Sequence, residues 1–192
     1  MESKMAQNAQ PHNRHVCPHK FAFMLDNWIR RLIQNPGKIL NGYIKPGNIA
    51  MDVGCGPGFF TIDMAKMVGE HGQVIAVDLQ PEMLAATLKK AVRKGIAGRI
   101  VAHPCAANRI GFDEQVDFIL AYYMVHETPD PPAFFKEAAA MLKEGGRLLV
   151  VEPKMHVSKT AFEAMVKAAE KAGLKAIDFP GKQGGHGALF TV

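Results

Sequence analysis

Cysteine is scarce in this sequence, and long apolar runs are missing from it. The 192 residues include three cysteines, Cys17, Cys55 and Cys105, an odd count without CxxC spacing. Such a set does not build a disulfide framework, and it suits a reducing compartment. No run approaches the roughly 18 apolar residues that a membrane-spanning helix needs, and residues 1–19 lack the apolar segment of a signal peptide. We therefore predict a cytoplasmic protein without a membrane span.

Basic residues outnumber acidic ones, but they are not gathered into a nucleic-acid-binding patch. The net charge is +5, and the densest basic run, residues 89–94, falls on a predicted helix, where we expect it to face solvent. Aromatic residues make up 8% of the chain and are not interleaved with that run. A nucleic-acid partner is therefore not expected.

Apolar periodicity predicts strands that alternate with helices after a leading helix over residues 21–34. Asn35-Pro36-Gly37 is predicted to end that first helix, and Gly145-Gly146 to close a later one. Predicted strands cover residues 49–53, 73–77, 100–103, 118–122, 147–152, 175–179 and 188–192, and predicted helices cover 60–68, 81–94, 131–142 and 158–172. Such alternation predicts one α/β domain with a parallel sheet and helices on both faces. The last two strands leave no room for a crossover helix, so we expect them to form an antiparallel hairpin.

A glycine-rich loop follows the first predicted strand. Asp52 ends that strand, and Gly54, Gly56 and Gly58 let the backbone turn sharply and approach a ligand closely. Asp78 ends the second strand, twenty positions after Gly58. In a doubly wound sheet this acid lies beside the first loop, where it can accept hydrogen bonds from ribose hydroxyls. The pattern predicts a nucleotide-like cofactor at this edge.

A nicotinamide cofactor is the main rival for this loop. Its fingerprint, G-x-G-x-x-G, would place the last glycine at Phe59, whereas the sequence has it at Gly58. Asp52 would also repel a pyrophosphate, but it suits the cationic or amino-acid portion of a ligand. These features disfavour a nicotinamide-dependent oxidoreductase.

The motifs resemble those of class I S-adenosylmethionine-dependent methyltransferases, in particular small relatives of the quinone- and arsenite-methylating enzymes. The matching segments are Asp52–Gly58, Val77–Leu84, Val116–Leu120 and Leu142–Val150, within residues 45–192. The resemblance implies a Rossmann-like, doubly wound, seven-stranded and mostly parallel sheet with an antiparallel C-terminal strand. It also implies that residues 1–44 are a tail and lid helix, that residues 45–192 are the methyltransferase domain, and that S-adenosylmethionine is the cofactor.

The resemblance also implies which residues contact this cofactor. The implied contacts are Asp52, Gly54, Cys55, Gly56, Gly58, Asp78, Leu79, Ala107 and Tyr122. The chain departs from the family at Ala106, where relatives often carry an acid that contacts the adenine amine. We therefore expect backbone groups or Asn108 to hold the adenine.

Polar residues after the fourth and fifth strands are expected at the edge where the methyl acceptor binds. Glu152-Pro153-Lys154 follows the fifth strand, and His126 and Glu127, which follow the fourth, are the candidate catalytic residues. The Asp/Asn-Pro-Pro-aromatic motif of enzymes that methylate nucleobase amines is absent from this position. Asp130-Pro131-Pro132 lies beyond the strand, and we interpret it as the N-cap and first turn of the next helix. A small-molecule acceptor is the leading hypothesis; the alternatives are a protein or nucleic-acid acceptor, and a non-catalytic adenosylmethionine- or metal-binding module.

Three side chains capable of soft-metal or thiol chemistry lie together near the N-terminus. They are His15, Cys17 and His19, and their spacing matches no standard zinc site. One interpretation is a polar tail that leads into the first helix. The other is a cluster that faces His126 and binds a metalloid, or a metal shared with His126 and His156. We assign no metal ligand from the sequence.

Overall fold

The computed structural model describes residues 34–181 and 185–192. The predicted lid helix, apart from its last residue, Gln34, lies outside this part of the chain, as does the His15–Cys17–His19 cluster. The helices described are α1 (Pro36–Leu40), α2 (Thr61–Met67), α3 (Pro81–Arg93), α4 (Pro131–Met141) and α5 (Lys159–Lys171). The strands are β1 (Ile49–Val53), β2 (Gln73–Asp78), β3 (Ile100–Pro104), β4 (Val116–Tyr122), β5 (Leu142–Pro153), β6 (Lys175–Asp178) and β7 (Gly185–Thr191). None of these helices combines the length and hydropathy needed to cross a membrane.

The described strands form one seven-stranded sheet in the order β3-β2-β1-β4-β5-β7-β6. Neighbours from β3 to β5 pair in parallel, whereas β7 is antiparallel to both β5 and β6. This topology confirms the predicted doubly wound fold with an antiparallel C-terminal strand. The carboxyl ends of β1 to β5 consequently meet at a single edge of the sheet.

Central strand β4 is buried on both faces. Its four residues from Phe118 to Ala121 are all 0% exposed, as expected for a parallel strand covered by helices on either side. Side chains alternate between the faces, so Phe118 and Leu120 join the core beneath α1, α2 and α3, while Ile119 and Ala121 join the core beneath α4 and α5. The sheet is therefore a rigid support for the loops at its carboxyl edge.

The boundary between α4 and β5 differs from the prediction. Helix α4 ends at Met141, and β5 begins directly at Leu142, which is 3% exposed and pairs with Val116. The pairing then jumps to Phe118 opposite Arg147. Gly145, with φ +72°, lies in the intervening residues. The two glycines thus belong to an irregularity within β5 rather than to the end of the helix.

Helices α4 and α5 each begin with a side-chain cap, and the cap at Asp130 confirms the prediction made above. The Asp130 carboxylate accepts a hydrogen bond from the Ala133 amide at 3.0 Å, and the Ser158 hydroxyl accepts one from the Ala161 amide at 3.2 Å. Each cap satisfies an amide at a helix N-terminus that has no intrahelical partner. Asn35 acts in the same way for α1, so Asn35-Pro36-Gly37, which was predicted to end a helix, also begins one.

Candidate cofactor and acceptor site

Loops from β1 and β3 flank the end of β2. The amides of Gly54 and Cys55 both donate to the Val77 carbonyl at 2.9 Å, and the Cys105 amide donates to the Asp78 carbonyl at 3.2 Å. These bonds continue the hydrogen-bond pattern of the sheet past the ends of the strands. The glycine loop therefore has a fixed position beside Asp78.

The Asp78 carboxylate fixes the middle of the glycine loop. One oxygen accepts the Gly56 amide at 2.8 Å, and the other accepts the Gln80 amide at 2.9 Å. Burial raises the pKa of this carboxyl, and the amide bonds oppose that rise. A carboxylate offers about four lone-pair positions, so two accepted bonds leave room for the hydroxyls of a ribose.

The three glycines of the loop have different surroundings. A β-carbon at Gly54 would come within 2.9 Å of the Met124 side chain, and one at Gly58 would come equally close to Thr87. At Gly56, with φ +53°, no described heavy atom lies within 4 Å of such a carbon. Gly54 and Gly58 thus permit close packing within the protein, whereas Gly56 borders open space. That space and the acceptor capacity of Asp78 fit a bound nucleoside cofactor.

Side chains of α3 hold the loop from the opposite side. Thr87 donates to the Gly56 carbonyl at 3.0 Å, and the Lys90 ammonium donates to the Pro57 carbonyl. Lys90 belongs to the basic run predicted to face solvent, and this contact corrects the prediction for Lys90, whereas Lys89, Arg93 and Lys94 are exposed. Thr87 and Lys90 are three residues apart and share one face of α3, but their hydrophilic side chains gave no signal of contact with the loop.

Asp52 is turned into the protein. It is 2% exposed, and its carboxylate accepts a hydrogen bond from the Thr61 hydroxyl at 2.6 Å. Thr61 is the first residue of α2, so the contact ties the end of β1 to that helix. Burial raises the pKa of the neighbouring Cys55 thiol, and the charges of Asp52 and Asp78 raise it further. Cys55 is consequently a protonated, inert loop residue, and its predicted contact with cofactor stays a prediction.

The loop after β3 forms a small turn at the same edge. Ala106 and Arg109 pair with each other, which leaves Ala107 and Asn108 exposed at the tip. Leu79, the residue after Asp78, is 38% exposed. Burial raises the pKa of the Cys105 thiol, at the start of this loop, to about 11, and the charge of Asp78 contributes to the rise. Leu79 and Ala107, both predicted cofactor contacts, are thus accessible to a ligand.

Beyond β4, a histidine is held by a buried acid. The Nδ1 atom of His126 is hydrogen-bonded to one oxygen of Glu152, and the other oxygen accepts the Val125 amide at 2.9 Å. The Glu152 side chain is 0% exposed and that of His126 18%. The contact raises the pKa of His126, burial opposes the rise, and the charges of Glu152 and Glu127 add to it. The sequence predicted both His126 and Glu152 at this edge, but not the bond between them.

Tyr123 breaks the alternation of β4. Among residues 34–181 and 185–192 it is the only non-glycine residue with positive φ, at 61°. Its ring is therefore on the same face as that of Tyr122, with ring centroids 4.4 Å apart, and Tyr122 lies at the same distance from Phe60. The Gln34 amide donates to the Tyr123 hydroxyl at 3.2 Å. Strained backbone of this kind is concentrated at functional sites.

The described part of the chain offers no ready metal centre. It contains no group of three or more His, Cys, Asp or Glu side chains arranged to hold a metal ion. The rings of His126 and His156 do approach each other, with centroids 5.8 Å apart in an edge-to-face arrangement. The hypothesis that His15, Cys17 and His19 share a site with these rings falls outside the described residues.

Comparison with known proteins identifies the class. A family model described as a methyltransferase domain matches residues 44–183. Fibrillarin from Aeropyrum pernix, solved with natively bound S-adenosylmethionine, shares the fold at a TM-score of 0.62 and 16% identity, covering 78% of this chain and 68% of that one. The chain belongs to the S-adenosylmethionine-dependent methyltransferase family.

Individual relatives match this chain at modest sequence identity. A ubiquinone/menaquinone biosynthesis C-methyltransferase of Cellvibrio japonicus is 30% identical over 81% of this chain and 59% of its own length. A demethylmenaquinone methyltransferase of Staphylococcus saprophyticus is 32% identical over 65% of this chain and 54% of its own length. The chain thus spans little more than half of these relatives. A methyltransferase structure from Aquifex aeolicus matches at a TM-score of 0.81 and 26% identity, covering 92% of this chain and all of that one.

Replacing Asp78 is expected to weaken cofactor binding. Asp78→Ala removes a charged acceptor for ribose and for the Gly56 amide, which should cost about 1.5–3 kcal/mol, or roughly 10- to 150-fold in Kd. Calorimetric titration with S-adenosylhomocysteine measures the effect. Glu82→Ala removes an exposed acid from the first turn of α3 and serves as the control. Equal affinities in both variants would contradict the ribose assignment.

Gly56→Val is expected to block the cofactor while the fold survives. A β-carbon at this position meets no described heavy atom within 4 Å, so the valine side chain is expected to extend into the space open to a ligand. Gly95→Val is the matched control, because Gly95 also has positive φ, at 67°, and open surroundings, but lies at the end of α3 away from the loop. Both variants should lose similar thermal stability, and only the first should lose S-adenosylhomocysteine binding. Unchanged binding by Gly56→Val would show that the cofactor does not approach this position.

Proposed function

We propose that this chain transfers the methyl group of S-adenosylmethionine to a small aromatic acceptor over the carboxyl ends of β4 and β5, with His126 as the base. The observation that carries the proposal is the His126–Glu152 pair just past the cofactor loop. Met124, two residues before His126, connects this pair to the cofactor loop, because it packs so closely against Gly54 that a β-carbon at Gly54 would collide with the Met124 side chain. A group able to take a proton thus stands beside the loop assigned to the cofactor.

Relatives support an aromatic acceptor. The names of the relatives from Cellvibrio japonicus and Staphylococcus saprophyticus assign them to methylation in quinone biosynthesis. The cluster formed by Phe60, Tyr122 and Tyr123 offers ring faces near the end of β4, and aromatic rings pack favourably against one another. Gln34, the last residue of the predicted lid helix, donates to the Tyr123 hydroxyl, so Gln34 lies at the same edge.

Proton transfer completes the reaction. When bound, S-adenosylmethionine supplies a methyl group on a positively charged sulfur that leaves as a neutral thioether. As the acceptor atom forms its bond to the methyl carbon, the acceptor loses a proton to Nε2 of His126. Glu152 binds Nδ1, so it selects the tautomer with a basic Nε2 and stabilises the imidazolium that forms.

The charge state of His126 predicts how activity depends on pH. Its pKa is raised by Glu152, so the protonated form persists to higher pH than for an ordinary histidine. A base must be neutral to accept a proton, and activity should therefore rise as pH increases through this raised pKa. This rise, the acid limb of the pH profile, is the expected signature of His126.

Substitution of the pair should alter turnover while cofactor binding persists. With reduced 1,4-naphthoquinone as the probe acceptor, His126→Gln should lower kcat by about 10²- to 10⁴-fold, the usual contribution of a general base. Glu152→Gln should also lower kcat and move the acid limb to lower pH, because His126 loses its charged partner. Formation of S-adenosylhomocysteine across a pH series measures both effects.

The same assay distinguishes the acceptor classes. Peptide and RNA substrates are run beside the reduced quinone, with His71→Gln as a control histidine in the turn before β2, remote from the acceptor edge. Turnover of peptide or RNA without turnover of the quinol would refute a small aromatic acceptor. An acid limb unmoved by Glu152→Gln would refute the role of His126 as base.

The Tyr123→Gly variant tests the contribution of the Tyr123 ring separately from that of its backbone conformation. Glycine adopts φ near 61° without strain, so the fold should survive while the aromatic surface is lost. The KM for reduced 1,4-naphthoquinone should rise about three- to tenfold, as expected for loss of an aromatic contact. Tyr123→Phe keeps the ring and should behave like the parent. A parental KM in Tyr123→Gly would show that the ring does not contact the acceptor.

A further inference from the structure

The tip of the loop after β3 is a tight turn built from backbone bonds. The Ala106 amide donates to the Arg109 carbonyl at 2.9 Å, and the Arg109 amide donates back at 3.2 Å. Ala107 and Asn108 are exposed between them. The resemblance places Ala106 where relatives often carry an acid for the adenine amine, so we expect recognition of that amine to depend on where this turn holds its backbone groups.

A side chain from α4 holds the base of that turn. Both oxygens of Glu137 are used: one accepts the Ile110 amide at 2.8 Å and the other the Gly111 amide at 2.7 Å. Bonds between amides and a carboxylate are charge-assisted, and a two-point attachment also fixes orientation. Glu137 therefore defines where the chain leaves the turn.

Two further contacts make this attachment rigid. Ile110 is 5% exposed and belongs to the core beneath α4, and its carbonyl is bonded to Nε2 of His103 at 2.8 Å. His103 lies on β3 before the turn, so the two sides of the turn are joined through Ile110. The charge of Glu137 reaches Cys105 as well, where it adds to the rise in that thiol's pKa.

We propose that Glu137 is a positioning residue for recognition of the cofactor's adenine. It holds residues 105–109 so that backbone groups at the tip, rather than a side-chain acid, read the base. The role rests on the cofactor site assigned above, but not on the identity of the acceptor or on His126. In this role Glu137 acts through the turn, because its two oxygens bind the Ile110 and Gly111 amides at the base of the turn.

A pair of ligands that differ at the base tests this role. S-adenosylhomocysteine carries the adenine amine, and S-inosylhomocysteine carries a carbonyl oxygen in its place. The parent protein should prefer the former, and Glu137→Ala should weaken its binding about tenfold or more while reducing the preference between the two. Glu137→Gln keeps one acceptor oxygen and should be intermediate. Lys136→Ala, an exposed neighbour on α4, should leave both affinities unchanged.

Kinetics provide a second measurement that a purely structural role would not reproduce. In Glu137→Gln, the KM for S-adenosylmethionine should rise with kcat retained, and thermal unfolding followed by circular dichroism monitors the fold. The proposal is overturned if Glu137→Gln and Glu137→Ala bind S-adenosylhomocysteine like the parent, or if they lose both ligands equally. Failure of the parent to methylate the quinol would count against the proposed acceptor alone, because the binding experiment contains no acceptor.

Discussion

The hydrogen bond from the Gly56 amide to Asp78 is the constraint around which the carboxyl edge of the sheet is organised. It joins the middle of the β1 loop to the end of β2, and Gln80 occupies the second oxygen of the same carboxylate. Thr87 binds the Gly56 carbonyl, so the N–H and the C=O of Gly56 are each held by a different side chain. The loop is consequently shaped before any ligand arrives, which reduces the ordering that binding would require.

Other carboxylates repeat this arrangement along the edge. Asp52 binds Thr61 of α2, Glu137 binds the amides after the β3 turn, and Glu152 binds both Val125 and His126. Loops cannot supply the continuous apolar surface that holds helices to a sheet, but each exposes amides that must find acceptors. A carboxylate with two oxygens can satisfy two such donors at once. The acids therefore position the loops where hydrophobic packing does not reach.

Local sequence patterns sufficed for the sheet, the hairpin, the caps and the cofactor loop, because each of these depends on residues close together in the chain. Gly56 and Asp78 were found because their spacing is set by one β–α–β unit. The contacts of Glu137 and Glu152 were not predicted, because each acid binds a loop 26 or 27 residues away and an acid on a helix or strand has no local mark of such a contact. The early start of β5 at Leu142 was missed for the same reason, since its pairing with Val116 overrides the helical pattern.

The two halves of the site are built differently. The half assigned to the cofactor consists of backbone amides and small residues in loops that the sheet holds in place. The half assigned to the acceptor consists of side chains after β4 and β5, among them Tyr123 with its positive φ. The Tyr123 ring lies with Tyr122 and Phe60 on the α2 side of the sheet. Glu152 holds His126 on the other side, since its strand partner His186 stacks on Phe162 of α5. An acceptor between an aromatic surface and a base can thus be exchanged for another by changing these side chains, without disturbing the bond between Gly56 and Asp78.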